Sequence, residues 1–156
     1  MGDIARALGL YRRPLFYRDV GFLVGLLASG LFWLILWLFA PVQLMVLQQI
    51  WSWGFLSLAL WQPLWEEVLF RGVLQGQLWR YSWGRRAWRG ITVANGITSA
   101  LFMLGHFWHH PPLWAIAVLG PSLIFGYVRD RYASVYPAMV LHAVYNAGYF
   151  GLTGIP

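Results

Sequence analysis

The longest uncharged stretch of the chain limits its fold more than any other feature. Residues 20–65 contain no Asp, Glu, Lys, Arg or His. A soluble fold of 156 residues would leave too much of such a run in contact with water, and the whole chain is 60% hydrophobic and 10% charged, with a mean hydropathy of +0.58. We therefore predict an all-α polytopic membrane helix bundle that forms a single integral-membrane domain over residues 1–156.

Charged clusters and turn residues divide the chain into about five predicted transmembrane helices. A helix of about 20 residues crosses the hydrocarbon core of a bilayer, which is about 30 Å thick. The segment Met1–Asp19 carries four arginines among apolar residues, which is typical of a cytoplasmic interfacial segment. The predicted spans are Val20–Phe39, Ile91–Trp108, Leu113–Tyr127 and Tyr136–Leu152, together with a second span of roughly thirty residues. This second span begins near Trp51 and Trp53, ends at about Trp79 and is kinked at Pro63.

The arginines indicate how the helices are oriented. All eleven basic residues are arginine, and ten of them fall in Met1–Asp19, Arg80–Gly90 and Arg129–Arg131. Because cytoplasmic loops are rich in Lys and Arg, we predict a multi-pass protein of the inner (plasma) membrane with a cytoplasmic amino terminus and an outer carboxy terminus. Short clusters of this kind argue against a nucleic-acid partner, which would require a continuous basic surface. The absence of cysteine excludes a thiolate metal site and a thiol nucleophile.

The eleventh arginine belongs to a charged group inside the second predicted span. Glu67 and Arg71 are four residues apart, so on a helix they lie one above the other and within pairing distance. Glu66 points about 100° away from Glu67 and lacks such a partner. A lipid-exposed charge costs about 2.5 to 3.5 kcal/mol on insertion scales, so the unpaired Glu66 is a candidate functional residue.

Three further polar residues lie at a depth similar to that of Glu66. Helical rise places Glu66, His106, His142 and Asn146 in a band about 10 Å tall on three different helices, so these side chains can meet. His142 and Asn146 are four residues apart and share a helix face. Asn95 is a lesser candidate. His109 and His110 stand in a proline-rich turn, and we expect them to be solvated.

These residue types favour hydrolysis of an amide bond. A carboxylate and an imidazole can hold a water molecule and remove its proton, while an imidazole and an amide can donate to an oxyanion. Two alternatives remain open. Glu66, His106 and His142 could instead form a His₂Glu zinc site with an open position for water. The chain could also be a non-catalytic membrane immunity or scaffold protein that keeps these residues for packing.

The polar residues also fit a known sequence pattern. Glu66-Glu67-x-x-x-Arg71, Phe102-x-x-x-His106 and His142-x-x-x-Asn146 occur in this order within Pro63–Tyr149. They resemble the three motifs of the CAAX-protease and bacteriocin-processing (CPBP or Abi) family of glutamic-type intramembrane proteases. With about five predicted spans, the chain is smaller than many members of that family, which often have six to eight.

The resemblance implies a role for each residue of the three motifs. It makes Glu66 and His106 the pair that activates water, His142 and Asn146 the pair that stabilises the oxyanion, and Glu67 with Arg71 a supporting ion pair. It implies neither a cofactor nor a bound metal. The partners it implies are the lipid bilayer and a membrane-anchored protein or peptide substrate. Small bacterial members similar to this chain trim carboxy-terminal sorting anchors, and one type is associated with JDVT-CTERM proteins.

Overall fold

Five helices make up most of the structure. The computed structural model describes residues 5, 8–10, 15–39 and 42–155. The helices are α1 (Val20–Phe39), α2 (53–79), α3 (Val93–His106), α4 (Pro112–Tyr132) and α5 (Tyr136–Thr153). Short 3₁₀ turns at Phe16–Arg18 and Leu47–Trp51 precede α1 and α2. The predicted helical bundle is thus confirmed, whereas most of the predicted interfacial segment, including Arg6, Arg12 and Arg13, lies outside the described residues.

Polar side chains lie inside the bundle and apolar side chains cover much of its outside. Large hydrophobic residues are exposed on all five helices, and they include Leu27, Leu31, Trp37, Trp65, Leu69, Leu101, Leu104, Ile116 and Val140. Buried polar residues include Glu67, Arg71, Gln75, Asn95, Ser99, Ser122 and His142. In the part of the chain that the structure describes, α1 and α4 are long and apolar enough to cross a membrane. Membrane crossing by α2, α3 and α5 remains a prediction.

Two widened turns shape α2, the helix that carries the two glutamates. It consists of α-helical Trp53–Leu56, π-helical Ser57–Trp61, α-helical Gln62–Glu67, π-helical Val68–Gln75 and α-helical Gly76–Trp79. The first π turn directly precedes Pro63, where the predicted kink lies. Pro63 has no N–H to continue the ladder of an α-helix, and π turns of this kind are frequent at functional sites. Glu67, just before the second π turn, and Arg71 and Gln75 within it all face the interior and are fully buried.

Helix α1 packs against the motif-bearing helix α5 through aromatic contacts. The indole Nε1 of Trp33 donates to the carbonyl of Tyr145 at 3.2 Å, and the Tyr145 hydroxyl donates to the carbonyl of Gly25 at 3.1 Å. A Cβ at Gly148 would collide with the Trp33 ring, so glycine is required there. The buried apolar core of the bundle joins α1, α4 and α5 and comprises Phe22, Phe125, Val128, Ala138, Leu141 and Tyr145.

The third helix is shorter than the predicted span Ile91–Trp108. A two-stranded antiparallel hairpin, Ala87–Trp88 with Ile91–Thr92, comes directly before α3. Its two turn residues, Arg89 and Gly90, both have positive φ values of 49° and 85°, as a tight two-residue hairpin requires. The Thr92 hydroxyl then accepts from the Asn95 N–H at 3.0 Å and caps the helix, which therefore begins at Val93.

The fourth helix is longer than the predicted span Leu113–Tyr127, because it continues through Arg129–Arg131 to Tyr132. Arg129 is buried, where its Nε donates to the carbonyl of Arg71 at 3.1 Å and its Nη1 pairs with Asp130 at 3.1 Å. The helix continues because these polar contacts and the Thr92 hydroxyl, 2.6 Å from Asp130, replace solvent. Arg131 pairs with Asp19 through two bonds of 2.9 and 3.0 Å, and these bonds hold the pKa of that carboxyl well below its usual range.

Candidate active site

A cavity of about 510 Å³ opens between the helices and contains all four residues predicted to act on a substrate. Glu66, His106, His142 and Asn146 contribute to its wall. The remaining wall is mainly aromatic and apolar, and it includes Phe32, Leu58, Phe70, Phe102, Trp114, Val118, Phe125, Tyr145, Tyr149 and Phe150. The four residues thus lie on one surface, where their polar groups are surrounded by mainly apolar side chains.

The two adjacent glutamates have different environments. Glu67 is fully buried, and its Oε2 lies 3.2 Å from Nε of Arg71, as the four-residue spacing predicts. Arg71 also donates to the carbonyl and the hydroxyl of Ser122 at 3.1 and 2.7 Å. Glu66 keeps 35% of its side-chain surface exposed and faces the cavity. Glu67 is therefore held by neighbours, whereas Glu66 is open to a bound molecule.

His142 lies between the two glutamates. Its Nδ1 is 2.8 Å from Oε1 of Glu67, and its Nε2 is 3.6 Å from Oε2 of Glu66. The Phe125 ring stacks on the imidazole at a centroid distance of 4.8 Å and an angle of 22°. Because Arg71 holds one oxygen of Glu67 and His142 the other, the ion pair predicted to give support also fixes the orientation of His142.

His106 enters the same cavity from the carboxyl end of α3. Its Nδ1 is 2.9 Å from the carbonyl of Phe102, one helical turn earlier. A carbonyl only accepts, so the proton of the neutral ring is on Nδ1 and the Nε2 lone pair is free. The Phe102 ring contacts the rings of both His106 and His142, at centroid distances of 4.6 and 5.8 Å. Phe102, the first residue of the Phe-x-x-x-His motif, thus orients His106 through its carbonyl and contacts both imidazoles through its ring.

Asn146 lies one turn beyond His142 on α5, as predicted. Its Nδ2 donates to the carbonyl of Leu58 on α2 at 3.0 Å. The second N–H of the side-chain amide and its carbonyl oxygen are not used in this bond. The lesser candidate Asn95 lies elsewhere. It is fully buried, donates to the carbonyl of Leu123 and accepts from Ser99, both at 3.0 Å, and does not line the cavity.

His109 and His110, which we expect to be solvated, differ in their surroundings, because His109 is exposed and His110 is half-buried. Both line the cavity, but His110 is only partly exposed and stacks on His106 at a centroid distance of 5.6 Å and an angle of 19°. Burial lowers the pKa of His110, and the nearby His106 and His109 lower it further. The four-residue spacing from His106 could have revealed this contact, because the His110 N–H still bonds the His106 carbonyl at 3.0 Å.

Metal coordination makes a different demand on the same side chains. A zinc site needs three or four ligands that converge on one point. Among residues 15–39 and 42–155 and the few described before them, no three His, Asp or Glu side chains are placed to hold a metal ion. In this arrangement Glu66, His106 and His142 therefore do not form the His₂Glu set of the zinc alternative.

Comparison with known proteins identifies a family. Residues 48–148 match the Rce1-like family, described as Type II CAAX prenyl endopeptidase Rce1-like. No curated protein and no solved structure matches the chain. The matched region covers well over half of the chain and contains all three motifs. The chain therefore belongs to the Rce1-like type II CAAX prenyl endopeptidase (CPBP) family and is a protease of that membrane family.

Proposed function

We propose that this protease hydrolyses a peptide bond near the carboxy-terminal part of a membrane-associated substrate, without a metal ion. The observation that carries the proposal is the open carboxylate of Glu66, which faces an apolar cavity beside the buried Glu67–His142 contact. A nucleophilic water needs a base within hydrogen-bond reach and a site from which bulk water is excluded. Glu66 supplies a carboxylate that a bound water can reach, and a substrate that fills the mainly apolar cavity would displace bulk water from it.

Water activation is assigned to Glu66 and His106. Both side chains line the cavity, and His106 has a free Nε2 lone pair because its Nδ1–H is bonded to the Phe102 carbonyl. A water molecule between the two would lose its proton to this pair as it attacks the carbonyl carbon of the substrate. The same pair then returns a proton to the leaving amine, which completes the hydrolysis.

Stabilisation of the oxyanion is assigned to His142 and Asn146. With both ring protons present, His142 donates Nδ1–H to Glu67 and keeps Nε2–H for the tetrahedral intermediate. Asn146 uses one N–H on Leu58 and has a second one for the same oxygen. Glu67 and Arg71 do not touch the substrate in this scheme, because they are fully buried, and they act by holding His142.

The surroundings of the cavity favour a substrate that arrives through the membrane. Aromatic side chains form most of the wall, and the outer surface of the bundle is apolar on all five helices. We propose that all five helices span the membrane as one domain over residues 1–156, with the amino terminus in the cytoplasm. The narrower proposal, based on the resemblance to small bacterial members of the family, is a carboxy-terminal sorting anchor of the JDVT-CTERM type as substrate.

The proposal is tested with purified protein in liposomes that contain a tagged, single-span substrate with a sorting anchor. Mass spectrometry of the products locates the cleaved bond. Wild-type protein should cleave near the carboxy-terminal anchor, while Glu66→Gln should fold normally and produce no cleavage. Normal cleavage by Glu66→Gln would rule out Glu66 as the base. A Glu66→Gln protein that fails to accumulate while Glu67→Ala accumulates would mean that the two glutamates have the opposite roles.

A further inference from the structure

The carbonyl of Leu58 has no hydrogen-bond donor within its own helix. In a helix, the carbonyl of residue 58 would accept from residue 62 in an α turn or from residue 63 in a π turn. The N–H of Gln62 bonds the carbonyl of Ser57 instead, because the turn is widened there. Residue 63 is proline, which has no N–H. Both possible partners of this carbonyl are therefore absent.

Asn146 supplies the hydrogen bond that Pro63, which has no N–H, cannot donate. Its Nδ2 donates to the Leu58 carbonyl at 3.0 Å, across 88 residues of sequence. This contact is partly buried, and a carbonyl that is partly shielded from water still gains from a donor, so the bond satisfies Leu58 and also restrains Asn146. Because a carbonyl can only accept, the side-chain amide must present its nitrogen to α2 and not its oxygen. This contact thereby fixes which end of the amide faces the cavity.

We propose that Pro63 is a positioning residue that orients Asn146 through the Leu58 carbonyl. An N–H at position 63 would offer Leu58 a donor within its own helix and draw its carbonyl towards the helix axis. Asn146 would then lose the partner that fixes its amide plane. The orientation of Asn146 by Pro63 does not depend on what Asn146 does in the reaction. An effect of Pro63 on the rate rests on the oxyanion role proposed above for Asn146.

The orientation is tested by NMR of protein in detergent with ¹⁵N in asparagine only. The chain contains two asparagines, Asn95 and Asn146, so two side-chain amide pairs are expected, and Asn146→Ala assigns them. Pro63→Ala should shift the Asn146 pair and speed its exchange with water. The Asn95 pair should not move, because its partner Leu123 is on another helix. An unmoved Asn146 pair in folded Pro63→Ala protein would overturn the proposal.

Kinetics separates positioning from a general effect on the fold. Pro63→Ala should lower kcat by at least about 10-fold, towards the loss of about 10² to 10³ expected for Asn146→Ala, with KM nearly unchanged. In the Asn146→Ala background, Pro63→Ala should lower kcat no further. Pro137→Ala, which removes a buried proline from the first turn of α5, is the matched control and should keep both kcat and the Asn146 signals.

A backbone ester distinguishes the missing N–H from the proline ring, and it also serves if Pro63→Ala does not fold. Lactic acid incorporated in place of Pro63 has neither ring nor N–H. This variant should keep the wild-type Asn146 signals and kcat, and a shifted Asn146 pair in it would overturn the proposal. Should Asn146→Ala prove fully active, the oxyanion role would fail, and the Asn146 signals in the two Pro63 variants would still decide the positioning.

Discussion

Nδ1 of His142 lies 2.8 Å from Oε1 of Glu67, although the two residues are 75 positions apart in the chain. The other oxygen of Glu67 is 3.2 Å from Arg71, and all three side chains are buried. A charge in this row cannot be removed without leaving its neighbour unpaired inside the bundle. The row therefore connects the stability of the fold with the orientation of an imidazole in the cavity.

Glu67→Ala and Arg71→Ala should damage folding. Each change leaves one buried charge without its partner, which costs about 3 to 5 kcal/mol in buried pairs. The measurement is the yield of monodisperse protein in detergent, together with its thermal unfolding midpoint. Arg80→Ala, which removes an exposed arginine at the end of the same helix, is the control and should behave as wild type. Wild-type yield and midpoint for both Glu67→Ala and Arg71→Ala would contradict the supporting role.

Asn146→Ala should give a folded but slow enzyme. Loss of one oxyanion donor costs about 10² to 10³ in rate elsewhere, and the same is expected of kcat here. Asn95→Ala is the matched comparison, because Asn95 is a fully buried asparagine outside the cavity. That variant should lose stability while the folded fraction keeps its kcat. Equal kcat losses per folded molecule in the two variants would show that Asn146 also acts only through the fold.

Exhaustive chelation should leave the activity in detergent unchanged. If Glu66 and His106 activate water directly, the protein needs no zinc, and the pH–rate profile should report a coupled carboxylate and imidazole. Metal analysis of the purified protein should find no stoichiometric transition metal. Activity that is lost to the chelator and restored by zinc would make His142 a ligand and would support the zinc alternative.

The carboxy terminus should lie on the outer side of the membrane. Five spans that begin in the cytoplasm end outside, and nine arginines remain for cytoplasmic segments once the buried Arg71 and Arg129 are set aside. Paired reporters fused after Pro156, one active only in the cytoplasm and one only outside, test this topology. A signal from the cytoplasmic reporter alone would contradict it.

Local contacts could be predicted from the sequence, whereas contacts between helices could not. The ion pair between Glu67 and Arg71 follows from a four-residue spacing, because helix geometry alone brings the two together. Which of two adjacent glutamates bonds His142 depends on the rotation of α2, and its widened turns have no clear sequence signal apart from Pro63. The sequence therefore predicted which residues gather at the cavity but not which of them touch.

Charge at a helix end was a poor guide to solvation. Arg129 lies in a cluster of arginines that indicated a cytoplasmic loop, yet it is buried because the Arg71 carbonyl and Asp130 replace water around it. The contact of His110 with His106 was not predicted. Pro111 and Pro112 indicated an open turn, but the helical hydrogen bond to His106 continues as far as His110 and keeps its ring on the cavity wall.

Phe32 of α1 contributes to the cavity wall, although α1 precedes the residues that match the family. The helix is fastened to α5 by the Trp33 and Tyr145 hydrogen bonds, and it contains no residue that can take up or release a proton near neutral pH. If the cavity binds substrate as proposed, exchange of side chains along the inner face of α1 would alter substrate preference and leave the proposed catalytic residues unchanged. Under this proposal the substrate preference of the protease can therefore change through α1 alone, without any change in α2, α3 and α5, which carry the proposed catalytic residues.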